Sequence, residues 1–310
     1  MNRCPLTGKP IVELSHSGLN TFASCPKKFA FRKMITTFKE EWEDSDATAA
    51  GTAIHAGIQE YLISKDKTRA LEAMALSHHI ELQNTSKASE YSLEACTWTM
   101  LKFFESDALD GYELATFIKD GQAIPAVEIA FLVEVEFPDL IFHLRGFIDL
   151  VLKSIYSDRF MVTDIKTTTQ YNKANFEHKY KWDWQGTSYG IPLNALLGNE
   201  GDFDIAFFGV FLSDREPSFA MPTYHRSMRD IDAYQFYLLD KCASIARYYK
   251  ADHFPRHPQS CTSYNKLCHH HAVCSEESLK GMQLAVNPSM KTGAPPRPFD
   301  PVFTVKLEGY

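Results

Sequence analysis

The sequence predicts an α/β fold: a mixed central sheet built in the order αβββαβ, with a helical bundle before it and a segment rich in metal-ligand residues after it. Three observations carry this. Apolar residues recur every three or four positions through the first third, the period changes to two from about residue 125, and helical spacing then returns around a single very apolar run, FDIAFFGVFLS at 203–213. Helices flanking a sheet of this make-up bury its two faces.

The elements follow in order. Ser15 and Ser17 are candidate N-caps for a helix carrying Leu19, Phe22 and Ala23, and Pro26 restarts the chain as a first-turn proline. Segments near 47–64, 67–84 and 89–109 hold few breakers and form the amphipathic bundle. In 127–137, Val127, Ile129, Phe131, Val133, Val135 and Phe137 alternate with Glu128, Glu134 and Glu136, which marks a half-buried strand. In 141–152, Phe142, Leu144, Ile148, Leu150 and Leu152 oppose His143, Arg145, Phe147 and Asp149. A third strand covers 160–166. A helix near 183–197, the strand 203–213 and a helix near 229–250 with Ile231, Tyr234, Leu238, Cys242 and Ile245 complete the core. Residues 284–310 lose periodicity and gain prolines, so an extended tail is expected there. These limits divide the chain into 1–124, 125–250, 251–283 and 284–310, with 15–275 forming one structural unit.

The bulk numbers exclude some functions. A chain of 310 residues with 45% apolar content folds as a globular protein, and it has no run of eighteen apolar residues to cross a membrane. The opening MNRCPLTGKP lacks the apolar stretch of a secretory signal, so a cytoplasmic protein is expected. Seven scattered cysteines suit reduced thiols or metal ligands better than a disulfide framework. The net charge of −7 means that a nucleic acid would be met by a local basic groove. The acidic run EEWEDSD at 40–46 reads as a solvated connection.

Candidate chemistry sits on the second and third strands. Period two puts Asp164 and Lys166 of VTDIK on one face, and Asp149 lies on the polar face of the strand before. Two carboxylates and an ammonium suit Mg2+ or Mn2+ and the activation of water beside a phosphate. Such a pair also occurs as an ordinary exposed aspartate and lysine. Gly51 and His55 stand one turn apart in GTAIH, and Gln185 and Tyr189 are i and i+4 in QGTSY. Lys27, Lys28, Arg32 and Lys33, and further on Lys173, Lys179 and Lys181, are candidate phosphate contacts. The interleaved Phe29, Phe31, Trp182 and Trp184 are candidate stacking platforms or core residues.

The ordered series SGLNTFASCPKKFAFR, GTAIH, AVEIAF, LRGFIDLVL, VTDIKTT and QGTSY resembles the RecB-like branch of the PD-(D/E)XK nuclease superfamily over roughly residues 15–275. The resemblance implies a restriction-endonuclease-like core and a metal-dependent DNA exonuclease acting at ends or on single strands, in repair, recombination or phage DNA metabolism. A site-specific endonuclease and a non-catalytic DNA-binding subunit are the alternatives. It also implies Asp149, Asp164, His55 and the Ile165 backbone carbonyl as metal ligands, with Glu128 as a further one. Lys166 would be the catalytic lysine, and Gln185 with Tyr189 the pair near the DNA. Lys27, Lys28, Arg32, Lys173, Lys181 and Trp184 would line the DNA path. Helicase or recombination partners and self-association fit the same picture. Asp164 stands where many members carry glutamate.

CTSYNKLCHHHAVC at 261–274 holds three cysteines and three histidines. The branch includes helicase–nuclease subunits and CRISPR adaptation nucleases with an iron–sulfur cluster held by one cysteine before the core and three after it. The resemblance therefore implies a [4Fe–4S] cluster on Cys25, Cys261, Cys268 and Cys274, closing a loop around the whole core. The first late gap is six residues here, where relatives commonly show two. Zinc on Cys261, Cys268 and Cys274 with one of His269, His270 or His271 is the open alternative. Cys4, Cys96 and Cys242 read as unliganded, Cys242 as core.

Overall fold

The computed structural model describes residues 3–35, 46–81, 91–119, 121–157, 159–169, 173–197, 201–213, 216–263, 266–268, 270–285 and 299–308. His269 and the acidic run, apart from Asp46, lie outside the described residues. In chain order the elements are β1 Ile11–Leu14, α1 His16–Ser24, α2 Pro26–Lys33, α3 Asp46–Ser64, α4 Lys67–Glu81, α5 Leu93–Glu105, β2 Tyr112–Leu114, β3 Thr116–Lys119, β4 Gln122–Pro125, β5 Val127–Glu136, β6 Ile141–Ser154, β7 Phe160–Thr168, α6 Lys173–Tyr180, α7 Trp184–Ser188, α8 Gly190–Leu197, β8 Phe203–Phe211, β9 Ser218–Ala220, β10 Thr223–Arg226, α9 Met228–Lys250, β11 Thr262–Ser263, β12 Lys266–Leu267, α10 Leu279–Ala285 and β13 Phe303–Glu308. They form a mixed α/β protein of restriction-endonuclease-like type. The chain divides into two compact units, 1–42 with 130–146 and 232–310, and 43–129 with 147–231.

The second unit holds a mixed sheet. β7 runs antiparallel to β6 and parallel to β8, and β10 pairs antiparallel with β8. The parallel β7 to β8 step requires a crossover, which α6, α7 and α8 supply. One sheet face packs against α3, α4 and α5 through Ile54, Ile58, Met74, Met100, Phe103, Leu150, Ile165 and Phe208. On the other face Phe207 stacks on Tyr180 with ring centroids 4.6 Å apart, and Phe176 meets Phe211 edge-on. Gly51 is needed for close approach of α3 to β7: a Cβ there would lie 2.7 Å from Thr167 Oγ1.

The helix expected over 183–197 is two helices. Pro192 has no N–H to give the Ser188 carbonyl, so α7 ends at Ser188 and α8 begins at Gly190. A short helix that the sequence reading left out, α6, buries Phe176 and Tyr180 at i and i+4.

The first unit joins early and late chain segments. Ser15 caps α1 by accepting from Gly18 N at 3.1 Å. Cys25 is both the C-cap of α1 and the N-cap of α2, and Pro26 starts α2. These helices dock on the late segment: Lys27 N donates to Pro255 O at 3.1 Å, Ser260 Oγ donates to Ser24 O at 2.8 Å, and Phe31 stacks on His270 at 5.0 Å. The end of the expected tail is β13, which pairs in parallel with β5 from Phe303↔Phe131 to Glu308↔Glu136. β1 pairs in parallel with the start of β6.

Candidate active site

The β6–β7 ladder has its last pair at Leu150↔Thr163, immediately before two aspartates. Beyond it the Ile165 N–H donates to Asp149 Oδ2 at 2.8 Å instead of to a strand partner. Asp149 is thereby aimed at the end of β7. Asp164 is 1% exposed, and three side chains surround its carboxylate. Tyr189 OH donates to its Oδ1 at 2.8 Å, Gln185 Nε2 donates to the same oxygen at 3.0 Å, and Lys166 Nζ lies 2.6 Å from Oδ2. Gln185 also accepts from Lys166 Nζ at 3.2 Å and donates to Tyr189 OH at 2.9 Å. Period two on β7 and the i, i+4 spacing across α7 therefore bring Asp164, Lys166, Gln185 and Tyr189 into one network, despite the break after Ser188.

His55, on α3, puts Nδ1 3.8 Å from Asp149 Oδ2 and makes a hydrogen bond with the Ile165 backbone. Glu128 is the departure. Its backbone is left-handed, with φ 48°, so the alternation that grouped it with Glu134 and Glu136 stops there, and its Oε1 accepts from Gln59 Nε2 at 2.6 Å.

The electrostatics follow from burial and crowding. Desolvation, reinforced by the Asp164 charge, pushes the Asp149 carboxyl up to about 8. Burial lowers His55 to about 4, so its ring is neutral near pH 7. Burial opposes the Lys166 charge, but the adjoining Asp164 outweighs it and raises the lysine above its usual value. Glu128, exposed at its surface, is raised by desolvation of its carboxyl and by Asp164, against the bond from Gln59, which lowers it. Tyr189, desolvated and beside two carboxylates, remains a phenol.

Oxygen donors with a neutral imidazole beside them are the chemistry that Mg2+ or Mn2+ selects, so the donor set fits such an ion. Among the described residues no three His, Cys, Asp or Glu side chains are yet drawn together as closely as a bound ion would hold them. Lys166 stands against Asp164 Oδ2 instead.

Two features that support α7 were missed from sequence. Asp183 caps it, accepting from Gln185 N at 2.6 Å. Arg226, 4% exposed, donates to Thr187 Oγ1 at 3.0 Å and to Lys181 O at 2.7 Å. Asp183 carries a signal, since it is an acidic residue just before a helix; Arg226, on a four-residue strand, carries none.

The proposed DNA contacts divide. Lys173 and Lys181 are exposed and Trp184 is half-buried, while Trp182 is 75% exposed with Lys181 Nζ 5.3 Å from its ring. Lys28 and Arg32 are half-buried on α2. Lys27 is corrected: at 2% exposure it is enclosed and cannot meet a phosphate. Phe29 and Phe31 are core.

In the first unit Cys25 is buried and Cys261, Cys268 and Cys274 are half-buried. Ser260 Oγ donates to Ser24 O at 2.8 Å, and Cys268 N donates to Cys261 O at 2.8 Å, so the segment carrying Cys25 docks on the one carrying Cys261.

A family model of the PD-(D/E)XK nuclease superfamily matches residues 13–275. The chain belongs to the PD-(D/E)XK nuclease superfamily. Among solved structures this nuclease-family chain is similar to one described as "Putative exonuclease" from Eubacterium rectale, with 12% identity, TM-score 0.46, and coverage of 80% of this chain and 85% of the other. The structure of SSO0001 matches with 13% identity, TM-score 0.24, and coverage of 71% and 80%. No curated protein matches. No helix among the described residues is long and apolar enough to cross a membrane.

Proposed function

We propose that this nuclease-family chain is a divalent-metal-dependent DNA exonuclease acting at ends or on single strands. The observation that carries the reading is the convergence of Lys166, Gln185 and Tyr189 on Asp164, with Asp149 and His55 beside it. Asp149, Asp164 and the Ile165 carbonyl would hold the ion, with His55 beside them. A bound Mg2+ or Mn2+ supplies polarisation of the scissile phosphate and acidifies water. The chain's own groups do the rest. Tyr189 and Gln185 lock the Asp164 rotamer, so its second oxygen has one direction. Lys166, kept protonated by Asp164 before substrate arrives, is placed to orient the attacking water and to stabilise the negative charge that builds on the phosphate. Exposed Trp182 with Lys181 beside it suits an unpaired base and its phosphate, which favours single strands or frayed ends.

The test is digestion of linear single- and double-stranded DNA blocked at the 5′ or 3′ end, and of circular DNA, with Mg2+ or Mn2+. Progressive loss from a free end is expected, and none with Asp164→Ala. Discrete products from circles would instead indicate an endonuclease, and binding without cleavage a DNA-binding subunit. Undiminished cleavage by Asp164→Ala would refute the site.

For the thiols we propose a [4Fe–4S] cluster on Cys25, Cys261, Cys268 and Cys274. Four thiols are the right donor set, and buried Lys27, in the field of Cys274 and Cys25, suits an anionic ligand group. Brown anaerobic protein containing iron and sulfide is the expected result; colourless protein with one zinc would assign the site to zinc with His270 or His271.

A further inference from the structure

Glu128 is a non-glycine residue in the left-handed region, at the point where the chain enters β5. Such a backbone is strained and persists only where its surroundings hold it. Two residues earlier the strand entry is pinned: Ala126 N donates to Ala115 O at 2.8 Å, and Ala126 O accepts from Val151 N at 2.9 Å. The turn at Glu128 then delivers its carboxylate to α3. There Gln59 Nε2 donates to Oε1 at 2.6 Å. Gln59 is four residues beyond His55, so one face of α3 carries both the imidazole beside Asp149 and the amide that grips Glu128. With Oε1 occupied, Oε2 remains. Glu128 also lies within the electrostatic reach of both Asp149 and Asp164. An amide is the right group for this task, because it fixes a carboxylate without neutralising it as a lysine would.

We infer that Gln59 is a positioning residue that holds Glu128 as a third carboxylate for the divalent ion, a role resting on the metal-dependent reading above. α3 then contributes to the centre twice, directly through His55 and indirectly through Gln59. The strained backbone of Glu128 is explained as the cost of bringing a carboxylate from the start of β5 to that centre.

The test is Mn2+ binding by the full chain without DNA, read from the electron paramagnetic resonance signal of the free ion. Gln59→Met keeps size and helix compatibility but removes the donor. It is expected to weaken binding about tenfold, the usual cost of losing a ligand's supporting hydrogen bond. Glu128→Gln should weaken binding at least as much, and adding Gln59→Met to Glu128→Gln should change nothing further. Equal thermal melting of the metal-free proteins confirms that folding is unaffected. Gln59→Ala, with the best helix propensity, is a second variant with the same expectation should the methionine variant misfold. Wild-type affinity in Gln59→Met, or equal losses from it with and without Glu128, would overturn the role. Unchanged affinity in Asp164→Ala would instead overturn the metal-dependent reading itself, so the two failures are distinguishable.

Discussion

Asp149 and His55 make opposite demands on pH. For Asp149, ordinary value 3.8 and folded value about 8, the native state holds a proton that the unfolded chain has lost, so stability falls as pH rises between those values. For His55, ordinary value 6.5 and folded value about 4, the native state refuses a proton the unfolded chain takes, so stability falls as pH drops through that interval. The two slopes largely cancel between pH 4 and 6.5, and Asp149 acts alone from 6.5 to 8. Metal-free protein is therefore expected to melt at nearly constant temperature in the lower interval as far as these groups decide it, then lower toward pH 8. Asp149→Asn should abolish the upper decline, and melting curves across the range check it. Binding of Mn2+ near pH 7 should release about one proton, detectable by calorimetry in buffers of different ionisation enthalpy. At this scale the sequence was most readable where spacing dictates proximity, as for Asp164 with Lys166 and Gln185 with Tyr189. Gln59 and Arg226 were not readable, because their partners lie on distant chain segments and no local pattern names them.

Between elements, the contact of α3 with β7 decides whether His55 and Gln59 reach the carboxylates. Gly51→Ala would place a methyl 2.7 Å from Thr167 Oγ1, and overpacking of this kind costs about 1–3 kcal/mol. Chemical denaturation should show that loss, and Thr167→Ala in the same chain should recover much of it by vacating the space. The strands of nine or more residues, β5 to β8, were legible because burial of one face forces alternation and burial of both gives a continuous apolar run. The three- to six-residue strands β1, β2, β9, β10 and β13 were not, since pairing rather than pattern specifies them. The division of the expected 183–197 helix had a signal in Pro192, outweighed by the regular spacing around it.

For the whole molecule, the first unit holds its early and late segments together with hydrogen bonds and with aromatic contacts such as Phe31–His270 and Phe22–Tyr248. Thiolate ligation across Cys25 and Cys274 would close a long loop and add to this. Cys25→Ser and Cys274→Ser are each expected to lose bound iron and to lower the melting temperature by similar amounts. Limited proteolysis should then cut near both residue 25 and residues 261–274. Loss of iron without any change in melting would separate the cluster from stability.

The strand β13 has a consequence in time. All residues of the second unit have been synthesised by residue 231, including every proposed ligand of the divalent ion, whereas the first unit needs Phe303–Glu308 to complete its pairing with β5. At roughly 5–20 residues per second that lag is about 4–15 s. During synthesis the carboxylate residues are complete on a chain whose thiol-bearing unit still waits for its last strand, a window in which the ion proposed for those thiols would enter before that unit closes.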